Sequence, residues 1–215
     1  MWFIIWLKSL PGKITVLVGI PLIGIALTFL WFQGTGQYHS QAQISLGEIL
    51  PDSLPTGFHQ ELPTDRQIDA LIQVTYSTEI LDLLACRLLL HDLEAPRPFR
   101  DTRNLRSKYS SSMLSRVSKR LETKWENLEK LSPQESADRQ VISLLKSLDY
   151  HPAALRKHLE IEAIEGTDRL NISFSSENPN LSAFVVNMLS DLLIRYLIKE
   201  ADAKQKDEFF TMEEK

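Results

Sequence analysis

The spacing of apolar residues changes several times along the chain, and each change marks a different element. Ile14 to Phe32 is nineteen residues without a charge. At about 1.5 Å per residue it reaches about 28 Å as a helix, close to the hydrocarbon thickness of a bilayer. Past a short polar exit at Gln33–Gln37 the period falls to two: Tyr38, Ser40, Ala42, Ile44 and Leu46 share one face, which predicts a strand. Residues 47–63 hold Pro51, Pro55, Pro63 and Gly57 and predict a loop. Thr64-Asp65-Arg66-Gln67 then has the form of a capping box. It opens a helix with Ile68, Leu71, Ile72 and Thr75 at helical spacing. A second helix is predicted from Thr78, carrying Ile80, Leu81, Leu83, Leu84, Leu88 and Leu89. It ends near His91-Asp92, because Pro96 and Pro98 forbid continuation.

From Arg100 to Lys130 the chain is polar and helix-prone, with Leu105, Met113, Leu114, Val117, Leu121, Trp125 and Leu128 at helical spacings. Ser132-Pro133-Gln134-Glu135 predicts a helix start with proline in the first turn, running to about Leu148. Pro152 to Lys157 reads as a short helix or turn. Residues 159–164 alternate partly, 165–168 form a turn signal, and 169–174 alternate strictly, so the segment predicts a β-hairpin. In it Leu170, Ile172 and Phe174 face inward, and Asn171 and Ser173 outward. Asn178-Pro179 caps a long helix with apolar positions from Leu181 to Leu197. Phe209, Phe210 and Met212 follow a charged stretch, with no glycine, proline or cap before Lys215, so the helix is expected to continue beyond that residue. The fold class expected is α+β: an N-terminal transmembrane helix, then a small mixed sheet packed by helices, then a long C-terminal helix.

Charge sets the expected topology. Residues 1–32 carry only Lys8 and Lys13, both before the apolar run, and the next basic residue is Arg66. By the positive-inside rule the N-terminus is cytoplasmic and the bulk lies outside the bacterial inner membrane. Trp2, Phe3 and Trp6 beside the lysines suit an interfacial segment. A cleaved signal peptide is disfavoured, because the apolar run is too long and Phe32-Gln33-Gly34-Thr35-Gly36 is not a small-x-small site. The organisation expected is 1–13 interfacial, 14–32 transmembrane, 33–178 an extracytoplasmic α/β domain with a helical insertion at 100–144, and 179–215 the start of a long helix.

The formal charge of −4 combines +2 in residues 1–32 with −6 in the remainder. An acidic remainder is poorly suited to nucleic acid, which needs clustered Lys and Arg. The single cysteine, Cys86, excludes an intramolecular disulfide and a cysteine-based zinc site. His39, His59, His91, His151 and His158 show no metal-ligand spacing, and neither a Gly-x-Ser-x-Gly elbow nor a phosphate-binding Gly-x-x-x-x-Gly-Lys occurs. Glu160 and Glu162 share one strand face, where a solvated pair is the ordinary reading. No catalytic residue, cofactor or metal is expected. Arg97, Arg100 and Arg103, with Arg106 and Lys108, either start a solvated helix or contact an anionic glycan or lipid. Phe209, Phe210 and Met212 are the candidate subunit interface.

Taken in order, Tyr38-His39-Ser40-Gln41-Ala42-Gln43-Ile44, Ser77-Thr78-Glu79-Ile80-Leu81 and Leu170-Asn171-Ile172-Ser173-Phe174 running into Glu177-Asn178-Pro179-Asn180-Leu181-Ser182-Ala183 resemble the chain-length-determinant family. These are the polysaccharide co-polymerases, which include Wzz proteins and exopolysaccharide transport proteins. The resemblance covers residues 1–93 and 145–215, and 100–144 has no counterpart in it. It implies a non-enzymatic regulator of surface polysaccharide length, a ring-shaped homo-oligomer, and a polymerase or export machine as partner. It also implies a second membrane span beyond Lys215. Some relatives continue into a cytoplasmic tyrosine kinase, and a sensor ectodomain is a further alternative.

Overall fold

The computed structural model describes residues 36–45 and 65–213, with side chains for 36–45 and 68–200. The apolar run 14–32 and the loop 47–63 lie outside the described residues, as does Thr64 of the expected capping box. In chain order the elements are β1 (Tyr38–Ser45), α1 (Asp65–Thr75), α2 (Thr78–Glu94), α3 (Arg103–Lys108), α4 (Ser111–Asn127), α5 (Ser136–Ser147), α6 (Pro152–His158), β2 (Leu159–Ala163), β3 (Arg169–Ser176) and α7 (Pro179–Glu213).

The three strands form one sheet in the order β1-β3-β2, and both pairings are antiparallel. A mixed sheet was expected. The two outer strands do run in the same direction, but β3 lies between them, so no parallel ladder forms. Ala42 stands opposite Ile172, and Ile161 stands opposite Ile172 on its other side. The β2–β3 hairpin turns at Gly166, whose φ of +73° is the left-handed conformation that glycine adopts without Cβ strain. Ile164 N–H donates to Arg169 O at 3.0 Å, and Thr167 Oγ1 donates to Ile164 O at 2.8 Å, closing the turn.

One face of the sheet, bearing Ile44, Leu170, Ile172, Phe174, Leu159 and Ile161, is buried. Helix α7 lies against β1 and β3 and supplies Leu181, Val185, Leu189 and Leu192 to the same core. Its segment Pro179–Glu200 is long and apolar enough to cross a membrane by length and composition. Its apolar stripe, however, is spent on the sheet and on α2, as in the core helix of a globular domain. Helix α2 is apolar nearly all round and is packed by α1, α4, α5, α6 and α7. Ser77 caps it, its hydroxyl accepting from Ile80 N–H at 3.3 Å.

Two helix boundaries differ from expectation, each for a local reason. The stretch from Arg100 to Lys130 is two helices, broken at Tyr109, because the Ser110 hydroxyl caps a new helix by accepting from Met113 N–H at 3.3 Å. The next helix begins at Ser136 and not at Ser132-Pro133. There the buried carboxylate of Asp138 accepts from Ser132 N–H at 2.8 Å, and Glu135 N–H donates to Ser132 O, so 132–135 close as a turn. The insertion expected at 100–144 shares the core of the sheet layer, contributing Leu105, Val117, Leu121, Trp125, Val141 and Leu144.

Candidate functional surfaces

The sheet face away from α7 is polar. His39, Gln41 and Gln43 of β1 stand beside Ser175, Ser173 and Asn171 of β3, which in turn stand beside Glu160 and Glu162 of β2. Alternation puts all of them on one side. His39 Nδ1 lies 2.9 Å from Ser175 Oγ, and its Nε2 lies 3.0 Å from Gln41 Nε2. Ser173 was expected to face out, and it does point to this face. It is nevertheless 3% exposed, because it sits on the central strand between Gln41 and Glu160. Asn171 Oδ1 is shielded from water in the same way and has no hydrogen-bond partner among the described residues. Glu160 and Glu162 are both exposed, the setting of a solvated pair.

The arginines singled out at 97–103 do not converge. Arg97 is exposed. Arg100 lies over the Tyr150 ring at 5.1 Å and 3.9 Å from Asp149. Arg103 is chelated by Asp101 at 2.7 to 3.1 Å, and these side-chain and backbone hydrogen bonds hold the Asp101 carboxyl down to about 2. Arg106 donates to Leu93 O at 3.2 Å. Three of these four guanidinium groups are therefore engaged within the domain. The backbone of α7 carries Phe209, Phe210 and Met212, whose side chains lie outside the described residues.

Among the described residues, no three His, Cys, Asp or Glu side chains come together as a metal site. Cys86 is fully buried on α2, and burial pushes its thiol well up, so it is inert. His91 stacks on Phe99 with ring centroids 4.0 Å apart, and Phe184 tilts against both rings. His158 meets Phe174 edge-on at 6.1 Å. His59 lies outside the described residues.

Two carboxylates that the sequence did not single out organise the helices. Asp92, fully buried at the end of α2, accepts from Phe99 N–H at 2.8 Å, Arg100 N–H at 3.2 Å and Tyr150 Oη at 2.7 Å. Asp138, also fully buried, accepts from Arg120 Nε and Ser132 N–H, both at 2.8 Å, with Lys124 Nζ at 3.6 Å. Glu135 completes the Arg120 pair. The sequence marks Asp92 only as part of a helix end, and the six-residue reach from Asp138 back to Ser132 leaves no local signal. Helix α7 adds a cationic clamp, as Arg195 donates to Trp125 O and Glu126 O at 3.3 and 3.1 Å. Lys199 donates to Asn127 O at 3.0 Å, and together these groups satisfy the last carbonyls of α4 and oppose its dipole.

Asp82 on α2 is a third case, half-buried and with no described residue donating to it. Burial raises its carboxyl to about 6. A carboxyl raised on folding stabilises the fold fully below its unfolded value, and that contribution is lost as pH rises through about 6. Asp82→Asn is therefore expected to stabilise the domain by about 1–3 kcal/mol at pH 7 and to leave it unchanged at pH 4. Urea midpoints of both proteins across that range check this.

Comparison with known proteins gives no match to a family model, to a curated protein or to a solved structure.

Proposed function

We propose that this chain is a membrane-anchored, non-enzymatic assembly protein that sets the length or amount of a surface polysaccharide. On this reading it sits in a bacterial inner membrane with its N-terminus in the cytoplasm. It acts as a homo-oligomer, in a ring, together with a polysaccharide polymerase or export machine. The observation that carries the proposal is the way the domain joins its two ends. The strand that directly follows the residues leading from the apolar run pairs along its whole length with β3, and β3 feeds the 35-residue helix α7. Ser182 Oγ, in the first turn of α7, donates to Tyr38 O at 2.9 Å and lies 2.7 Å from Ser176 Oγ. A chain that enters this domain on a strand and leaves it along one long helix from the same corner suits a protein that transmits position and does no chemistry. The resemblance of its motif order to that of the chain-length-determinant proteins is the sequence support for the same reading.

Deletion of the gene, followed by gel analysis of surface polysaccharide, tests this. The expected outcome is a changed length distribution or a reduced amount, restored by the gene on a plasmid. An unchanged pattern overturns the proposal.

A further inference from the structure

The two outer edges of the sheet are treated differently. On β2 the hydroxyl of Tyr76 donates to Leu159 O at 3.3 Å and accepts from Ile161 N–H at 3.1 Å. It occupies the places a further strand would take. Leu159 and Ile161 thus aim their backbone groups outward, and so does Ala163, since Ile164 N–H donates inward to Arg169 O. By the alternation of an antiparallel ladder, their partners Phe174, Ile172 and Leu170 aim theirs at β1. On β1 the residues opposite those three are Ser40, Ala42 and Ile44. The backbone N–H and C=O groups of His39, Gln41 and Gln43 therefore point to the open side of β1. Among the described residues nothing donates to them or accepts from them.

An open edge of this kind is a template for another strand unless charge, proline or a bulge blunts it. Tyr38–Ser45 is an eight-residue edge, YHSQAQIS, with no charged residue, no proline and unbroken pairing to β3. The opposite edge carries Glu160 and Glu162 in addition to the tyrosine cap.

We propose that the open edge of β1 pairs with β1 of a second copy of this chain, antiparallel about a two-fold axis at Gln41, joining two sheets into one of six strands. Three features select a second copy in this register. The uncharged sequence meets itself without like-charge repulsion. Outward backbone groups fall on odd residues, so a self-pairing must set odd against odd, and centring on Gln41 gives His39 opposite Gln43 of the second copy and Gln41 opposite itself. The same register sets Tyr38, a large hydrophobic residue left 49% exposed, opposite Ile44 of the second copy on the apolar face. The contact is isologous, the commonest form of homo-oligomer contact. It is independent of the polysaccharide reading, and closing a ring falls to other surfaces.

Cysteine cross-linking of the full chain in lipid nanodiscs tests the pairing and its register. The native cysteine is single and fully buried, so an introduced thiol is the only accessible one. Residues facing each other in a hydrogen-bonded antiparallel pair have Cα atoms about 5.5 Å apart, within disulfide range. Under mild oxidation Gln41→Cys is expected to form a covalent dimer. His39→Cys and Gln43→Cys each stay monomeric alone, their like positions lying about 14 Å apart at about 3.4 Å per residue, but they cross-link when the two variants are mixed. Glu160→Cys on the capped edge stays monomeric. A monomeric Gln41→Cys, which is the result if residues 46–64 of the same chain or a different protein cover the edge, overturns the proposal. So does any cross-linking pattern other than 41 with 41 and 39 with 43. Neither result bears on the polysaccharide phenotype of the deletion, so the two proposals fail separately.

Discussion

Replacing Asp92 by alanine is expected to destabilise the domain by about 3–5 kcal/mol, a large share of the roughly 5–15 kcal/mol that holds a typical domain folded. The carboxylate is fully buried and ties three parts of the chain together: the end of α2, the bend at residues 95–102, and Tyr150. Removing it strands two backbone N–H groups and a tyrosine hydroxyl that has no access to water, since Tyr150 is itself fully buried. Each orphaned donor costs about 1–3 kcal/mol. Tyr150→Phe removes one donor and leaves the carboxylate with two backbone N–H groups and with His91 Nδ1 at 3.3 Å, so about 1–2 kcal/mol is expected from it alone. The combination separates this mechanism from simple loss of packing. In the Asp92→Ala background the hydroxyl has no partner, so Tyr150→Phe is expected to be neutral or stabilising. Equilibrium urea unfolding of the four proteins measures this coupling directly. Strict additivity would mean that the 2.7 Å contact is energetically silent.

How much of this was legible in the sequence follows from which interactions are local. The strand at 38–45, the hairpin about Gly166, the Asn178 cap and the start of α2 at Thr78 rest on periodicity and on side chains bonding within three residues, and all were readable. The cap is typical: Asn178 Oδ1 accepts from Asn180 N–H at 3.0 Å, a contact visible in Asn-Pro-Asn. What escaped depended on partners far along the chain. The start of α5 was misplaced because Asp138 reaches back six residues to Ser132, a pull that no helix propensity contains. The sheet was expected to be mixed because pairing order cannot be read from alternation. Only the full register of β1 on β3, across more than a hundred residues, shows that every pairing is antiparallel.

The candidate surfaces divide in the same way. A run of arginines in sequence suggests an anionic contact, but neighbouring carboxylates and carbonyls decide whether the charges remain available. Asp101, two residues from Arg103, and Asp149, far away in sequence, take up two of them. The open edge of β1 was not legible at all, because it depends on β3 pairing on one side and on Tyr76 capping the opposite end of the sheet. Composition carried a hint, since eight residues without charge or proline are unusual for a sheet border.

The second large effect is expected at Asp138, where alanine should cost about 3 kcal/mol at neutral pH. The loss is smaller than at Asp92 because one partner can recover: Arg120 is about a third exposed and keeps Glu135. Lys124 is the stranded group, a nearly buried ammonium left with Lys130 O at 3.3 Å and Glu129 at 3.4 Å. Its aliphatic stem packs in the core, so it cannot simply turn outward. The pH dependence has a definite sign. Burial alone would push the Asp138 carboxyl up, but the hydrogen bonds from Arg120 and Ser132 and the charge of Lys124 outweigh it and hold the group below its ordinary value. A carboxyl depressed on folding contributes stability that is complete above its unfolded value near 4 and is lost as pH falls through its folded value. Asp82 acts in the opposite sense and at higher pH, since protonating it near 6 relieves a buried charge. Stability should therefore rise as pH falls from 7 to about 5, then drop steeply below about 4. In Asp138→Asn the acid limb should flatten while the rise between 7 and 5 persists, and in Asp82→Asn the reverse should hold. Urea midpoints of the three proteins from pH 3 to 7 distinguish these curves. An acid limb unchanged in Asp138→Asn would assign the acid transition to other carboxylates and remove this network from the account of stability.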